Sequence, residues 1–184
     1  MVRSISTVLL GLFMMSTAGA YAFPLPEGAH VLTTIPATLT ANYDFEGIVA
    51  MSNCSASLVS FENSKDSDYG MILTNGHCIG GGFLGPGEVV RNRSSSKSFT
   101  LFGANGNQVG RVTASTLLYA TMTKSDMALY KLTETYAQIK ARYNVRPLTI
   151  DSHHPTSGIM INVVSGYWER GYTCNINGFV YKLQ

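Results

Sequence analysis

Short hydrophobic runs separated by turn-forming residues dominate the chain from residue 46 onward. No run keeps the spacing of an amphipathic helix, and the breaks are rich in Asn, Gly and Ser. The predicted strands are residues 47–51, 55–60, 69–74, 98–102, 109–120 and 127–132. Short strands with this punctuation predict an all-β fold whose sheet closes into an antiparallel barrel.

A second set of strands follows a short helical segment. Residues 134–142 predict one or two helical turns, within a linker over residues 134–144 that joins two halves of the chain. Strands resume at residues 145–150, 158–164 and 172–182. We therefore expect a first barrel over residues 45–133 and a partial second barrel over residues 145–184.

Residues 1–22 have the organisation of a secretory signal peptide. Arg3 supplies the positive charge, residues 8–15 form an apolar core, and Ala20 and Ala22 are small residues at the positions that signal peptidase inspects. The core is shorter than the ~20 apolar residues of a membrane span. We expect cleavage after Ala22, a secreted protein (extracellular or periplasmic), and no membrane partner after cleavage.

Composition adds to this interpretation. Charged residues make up only 13% of the chain, about half the usual share, and the abundant small polar residues are typical of an extracellular β-protein. A net charge of +2 is too small to favour nucleic acid as a partner. The basic residues Arg91, Arg93 and Lys97 are separated by serines and predict a solvated loop. Residues 23–44, rich in Pro and Thr, predict a lead-in or a pro-segment.

Three cysteines, Cys54, Cys78 and Cys174, are an odd number for a secreted protein, so one of them has no partner within the chain. Cys78 follows His77 directly, at the end of an apolar strand. A histidine at a strand end is most often structural or solvated. Asp126 stands at the start of another apolar strand, where it could cap a turn or could orient the imidazole of a histidine.

The order of these motifs resembles the first half of the chymotrypsin/trypsin family of serine peptidases. The matching strings are Cys54-Ser-Ala-Ser-Leu-Val, Leu73-Thr-Asn-Gly-His-Cys and Asp126-Met-Ala-Leu-Tyr-Lys-Leu, and residues 161–167 resemble the strand that enters the second barrel. The resemblance covers about residues 47–182. It implies a double antiparallel β-barrel whose second barrel is incomplete in this chain.

The resemblance also assigns roles to individual residues. It implies that His77 is the general base, that Asp126 is its orienting acid, and that Cys54 and Cys78 form a structural disulfide. Asn75 and Gly76 replace the family's usual pair of small residues before the histidine, and the turn should tolerate them, because Gly fits a turn and Asn accepts unusual backbone angles. No Ile-Val-Gly-Gly segment for activation is present.

The family's serine motif is missing from the sequence. The nearest strings, around Ser157 and Ser165, lack the preceding glycine and come too early, and no glycine-lined turn surrounds Cys174 to make it a nucleophile. The 40 residues from 145 to 184 are also fewer than the roughly 50–70 that a second six-stranded barrel needs. We expect a chain truncated before the catalytic serine, with Cys174 unpaired.

Two functions remain open at this point. The first is a secreted serine endopeptidase that acts on protein or peptide substrates. The 184-residue chain alone is expected to have no peptidase activity. The second is a non-catalytic, protease-like binding protein or a degenerate remnant of a peptidase. No cofactor is predicted. A metal site formed from Cys54, His77, Cys78, His153 and His154 is not predicted either, because their spacing matches no zinc motif.

Overall fold

The computed structural model describes residues 43–179. The predicted signal peptide, and all but two residues of the predicted lead-in, lie outside this range. The strands are β1 Ile48–Ala50, β2 Ser55–Ser60, β3 Tyr69–Thr74, β4 Val89–Ser94, β5 Ser98–Phe102, β6 Gln108–Thr121, β7 Met127–Thr135, β8 Leu148–Thr149, β9 Met160–Ser165 and β10 Arg170–Asn175. A short 3-10 turn covers Gly76–Ile79, and the helix α1 covers Tyr136–Tyr143.

Six of the strands close into an antiparallel barrel. Their order is β1, β5, β6, β7, β3 and β2, and β2 pairs again with β1. The barrel closes because β1 pairs on both sides: its Val49 lies opposite Leu101 of β5 and opposite Ala56 of β2. The structure confirms the all-β fold with a closed antiparallel barrel.

The barrel is filled by large apolar side chains from all six strands. Those with an exposed fraction of 1% or less include Val49, Leu58, Ile72, Phe99, Leu101, Leu117, Tyr130 and Leu132. The Tyr130 ring meets the Phe99 ring edge-on, with 5.3 Å between centroids. Alternate residues of β3 and β7 point into this core, as the two-residue period of a strand requires.

The basic residues before β5 do not form the predicted solvated loop. Arg91 and Arg93 lie on β4, which pairs with the second half of the long strand β6. β4 is mostly exposed, and its sequence Val-Val-Arg-Asn-Arg-Ser has no apolar–polar alternation, the pattern from which strands are predicted. Lys97 is half-buried, and its ammonium group donates a hydrogen bond to the carbonyl oxygen of Cys78 at 2.7 Å.

The helix α1 is where the sequence predicted helical turns, but it starts later, because β7 continues to Thr135. The Thr135 side chain accepts a hydrogen bond from the backbone N–H of Gln138, and the Gln138 side chain accepts one from the backbone N–H of Thr135. Reciprocal bonds of this kind satisfy two of the free N–H groups at a helix start. Asn144 ends the helix in the left-handed conformation, with φ 53°.

The residues after α1 do not form a second barrel within the described part of the chain. The predicted strand 145–150 is reduced to β8, which pairs in parallel with β2 and so extends the sheet of the first barrel. β9 and β10 form a separate antiparallel hairpin, with Val163 opposite Tyr172. The strand predicted at residues 158–164 corresponds to β9, and the one predicted at residues 172–182 is displaced to β10.

A disulfide joins Cys54 to Cys78, and Cys174 is free and exposed on β10. The pairing implied by the family resemblance is therefore present. It ties the start of β2 to the 3-10 turn that carries His77. Among the described residues, no helix is long and apolar enough to cross a membrane.

Replacing both Cys54 and Cys78 by Ala should lower the free energy of unfolding by about 3 kcal/mol, because the bond closes a loop of 24 residues in the unfolded chain. Urea denaturation followed by circular dichroism measures the loss. Cys174→Ser is the control and should change stability by less than about 0.5 kcal/mol, since its side chain is exposed. Equal stabilities for the control and the double variant would contradict a structural role for this disulfide.

Candidate active site

His77 and Asp126 lie at the same end of the barrel because their strands are neighbours. β3 ends at Thr74 and β7 begins at Met127, and their antiparallel pairing puts Thr74 opposite Ala128. The turn that follows β3, which carries His77, and the residue that precedes β7, Asp126, therefore lie close together. The pairing brings together two side chains that are 49 positions apart in the sequence.

Asp126 accepts two hydrogen bonds from His77. The imidazole Nδ1 lies 2.6 Å from Asp126 Oδ2, and the backbone N–H of His77 donates to Asp126 Oδ1 at 3.0 Å. Because an ionised carboxylate can only accept, Nδ1 carries the proton, and in the neutral imidazole the lone pair lies on Nε2. The side chains of His77 and Asp126 are 40% and 37% exposed, so a ligand can reach the imidazole from solvent.

The pKa of Asp126 lies below its ordinary value of 3.8. Partial burial acts in the opposite direction and raises the pKa. The hydrogen bonds from the ring and backbone of His77, the charge of the imidazole and the backbone N–H of Gly76 lower it by more. At neutral pH the carboxylate is therefore ionised, as the hydrogen bond from Nδ1 requires.

The turn that carries His77 is held from several directions. The backbone N–H of Cys78 donates to the carbonyl oxygen of Asn75 at 3.1 Å, which closes the turn. The Asn75 side-chain amide donates to the carbonyl oxygen of Asp126 at 3.2 Å, linking the turn to β7. Lys97 holds the Cys78 carbonyl oxygen, and the disulfide holds the Cys78 sulfur. These contacts restrict the position of the imidazole.

Gly76 is required by a close approach of the backbone and not by an unusual turn. A Cβ atom at this position would lie 2.1 Å from the carbonyl oxygen of Thr121 and 3.0 Å from Asp126 Oδ1. Gly76 does not have a positive φ, and Asn75 has an extended backbone, with φ −79°. The turn accepts Asn75 and Gly76 without unusual backbone angles. The glycine is needed because β6 passes directly beneath the turn.

The candidate nucleophiles in the described chain are engaged elsewhere. Ser165 Oγ lies 2.8 Å from Ser55 Oγ and accepts a hydrogen bond from the backbone of Trp168. Ser157 Oγ donates to the carbonyl oxygen of Asn177 at 2.8 Å. Within residues 43–179, no hydroxyl or thiol group forms a hydrogen bond with His77 Nε2.

An exposed aromatic side chain borders the imidazole. The Phe83 ring lies 6.4 Å from the His77 ring, between centroids, and Phe83 is 79% exposed. It follows Gly80, Gly81 and Gly82, which all have positive φ. Phe83 is not predicted from the sequence as a site residue, although it stands directly after a run of three glycines.

The side chains around His77 do not fit a metal ion while the disulfide is intact. Donor atoms of Cys54, His77 and Cys78 lie within 4.8 Å of one another. The two sulfur atoms are bonded to each other, however, and only a thiolate is a good metal ligand. His153 lies in a separate pair, with Nδ1 2.7 Å from Asp151 Oδ1.

Gly76→Ala should destabilise the protein by about 1–3 kcal/mol, because the new methyl group overlaps the Thr121 carbonyl and the turn must move. Urea denaturation measures the stability, and the His77 ring resonances in an NMR spectrum report the displaced imidazole. Gly85→Ala is the matched control, since its Cβ would meet only Glu88 Oε2 at 3.7 Å. An unchanged His77 spectrum in Gly76→Ala would contradict the close approach.

Asp126→Asn should lower the free energy of unfolding at about pH 7 by a few tenths to about 1 kcal/mol, the range for an exposed pair. The Asp126 pKa is lowered in the folded state, so its contribution is fully present above 3.8 and is lost as the pH falls through the lower folded pKa. Urea denaturation at about pH 7 and about pH 2 should show a larger difference at the higher pH. Asp66→Asn, at an exposed aspartate, is the control and should change the stability at about pH 7 by less than about 0.5 kcal/mol.

Comparisons with known proteins add nothing that identifies the chain. A scan against protein-family models, a search of curated proteins and a search of solved structures each gave no match.

Proposed function

We propose that the protein is a secreted serine endopeptidase of the chymotrypsin/trypsin type. His77 would be its general base and Asp126 its orienting acid. The observation that carries the proposal is the 2.6 Å contact between His77 Nδ1 and Asp126 Oδ2, which leaves Nε2 free at an exposed barrel end. A histidine held in this tautomer by an ionised carboxylate is suited to taking a proton from a hydroxyl group. The serine and the oxyanion hole would come from outside the described residues.

The two side chains would act on protons in sequence. As the serine oxygen attacks the carbonyl carbon of a peptide bond, its proton passes to His77 Nε2, and the imidazole becomes a cation. The Asp126 carboxylate stabilises that cation through Nδ1–H. Nε2 then gives the proton to the leaving amine, so the C–N bond breaks and a neutral amine departs. Water repeats the same cycle on the acyl-enzyme and releases the acid.

The disulfide supports the part of the proposal that concerns secretion. A bond between Cys54 and Cys78 persists in oxidising compartments and is uncommon in the cytosol. Both cysteines are buried, so the bond is shielded from solvent as well as structural. This agrees with the signal peptide that the sequence predicts.

One observation favours the second candidate, a protease-like protein that binds peptides without cleaving them. No hydroxyl or thiol in residues 43–179 forms a hydrogen bond with the imidazole of His77, and a peptidase needs a nucleophile there. An open His–Asp pair bordered by the exposed Phe83 could still contact a peptide. The two candidates differ in whether a serine reaches Nε2 in the protein that the gene produces.

The test compares the 184-residue chain with the product of the complete reading frame, obtained by sequencing the gene beyond codon 184. Cleavage of labelled casein and labelling by a fluorophosphonate are measured for both. We expect activity from the longer product, abolished by the fluorophosphonate, and none from the 184-residue chain. In the longer product, Asp126→Asn should lower kcat about 10⁴-fold, and His77→Ala should lower it at least as much.

His153→Ala is the matched control, because His153 also pairs with a carboxylate through Nδ1, at 2.7 Å, but is far more exposed. It should leave kcat unchanged. A stop codon directly after Gln184, with a stable and monodisperse product, would favour the binding protein. Cleavage by the 184-residue chain itself would show that the nucleophile lies within that chain. It would overturn the proposal that the serine and the oxyanion hole come from outside the described residues.

A further inference from the structure

A cavity of about 380 Å³ lies between the β1–β2 turn and strands β5 and β6. We refer to it as the Lys97 cavity. The residues that line it include Met51, Ser52, Lys97, Ser98, Thr100 and Arg111. They provide two cationic groups and three hydroxyl groups, and none of the lining residues is acidic.

Lys97 brings a positive charge into a half-buried position without a compensating negative charge. Its ammonium group donates one hydrogen bond, to the carbonyl oxygen of Cys78 at 2.7 Å, and has two further N–H groups. Burial lowers the pKa of Lys97, and no carboxylate contributes to the shift. In the described part of the chain, no acidic side chain forms an ion pair with Lys97.

Arg111 adds a second charge whose hydrogen-bonding capacity is mostly unused. Its Nε donates to Ser98 Oγ at 3.2 Å, which orients the guanidinium beside the residue that follows Lys97. Arg142 and Arg146 each contact a glutamate, whereas Arg111 has no carboxylate partner among residues 43–179. The terminal N–H groups of Arg111 form no hydrogen bond within the described residues.

The cavity is lined by two cationic residues and three residues with hydroxyl groups, all of which can donate hydrogen bonds. No carboxylate lines it to balance the positive charge. A partly desolvated cation is costly unless it is paired, and an anion that accepts hydrogen bonds from both Lys and Arg removes that cost. Hydroxyl groups can complete the coordination of an oxyanion by donating as well. The chemistry of the cavity therefore favours a small ligand with two or more negatively charged or partly charged oxygens.

We propose that the Lys97 cavity binds an oxyanion, either a free ion such as phosphate or the carboxylate of an acidic side chain on a peptide. Lys97 Nζ and the Arg111 guanidinium are the main donors. Neither His77 nor Asp126 lines the cavity, so the inference does not depend on peptidase activity and is tested by binding alone. Lys97 also holds the carbonyl of Cys78, the residue next to His77, so an occupied cavity would share a side chain with the support of the His77 turn.

The experiment follows the amide resonances of the full chain while inorganic phosphate replaces chloride at constant ionic strength. We expect saturable shifts at Ser52, Ser98 and Thr100. In a second arm, a short neutral peptide with one Glu is compared with its Gln counterpart. Binding of phosphate alone identifies a free ion as the ligand, and binding of the Glu peptide but not the Gln peptide identifies a side-chain carboxylate. Either result supports the site.

Lys97→Met and Arg111→Gln should each weaken the binding about tenfold or more, since each removes a charge-assisted hydrogen bond. Arg91→Gln is the matched control: Arg91 is exposed on β4 and does not line the cavity, so affinity should be unchanged. If Lys97→Met does not fold, Arg111→Gln decides the matter, because Arg111 is exposed. Shifts that rise linearly without saturation in both arms, or saturable shifts that persist in Arg111→Gln, would overturn the proposal.

Discussion

The antiparallel pairing of β3 with β7 is the constraint on which the site depends. With Thr74 opposite Ala128, the end of one strand and the start of the other coincide. His77 then needs only a single 3-10 turn to place both its ring and its backbone N–H on the same carboxylate. A shift of one residue in this register would turn every side chain of β7 to the opposite face. Tyr130 and Leu132 would leave the core, so the core that stabilises the barrel also fixes the His77–Asp126 pair.

The turn itself is supported by contacts that come from other parts of the barrel. The disulfide links it to β2, and Lys97 reaches it from the segment before β5. Gly76 lets the turn lie directly on the backbone of β6 at Thr121. A surface turn of four residues would have little stability of its own. Anchoring by covalent bond, hydrogen bond and backbone contact gives an exposed imidazole a defined position.

The sequence predicted the strands with buried faces and the residues of the His77–Asp126 pair, and it failed where burial leaves no pattern. Only Val90 of β4 packs against the core, and the rest of the strand is exposed, so period-two alternation could not reveal it. The role of Gly76 is also invisible in one sequence, because the contact with Thr121 joins residues that are distant along the chain. The serines around Lys97 predict a solvated side chain. Its partner is a backbone carbonyl, which no sequence pattern marks.

The β9–β10 hairpin shows how a short segment can be positioned without a core of its own. One face contacts the barrel through two glycines: a Cβ on Gly166 would lie 2.3 Å from the carbonyl oxygen of Val49, and one on Gly171 would lie 2.3 Å from the Tyr43 ring. Ser165 adds its hydrogen bond to Ser55 at the start of β2. An isolated two-stranded hairpin is marginally stable in water, so these close contacts, together with the packing of Val164 against Phe45, Ile48 and Phe102, determine where it lies. Ile161 and Val163 are left exposed. The attachment of the hairpin to the barrel is thus specified independently of these two exposed side chains.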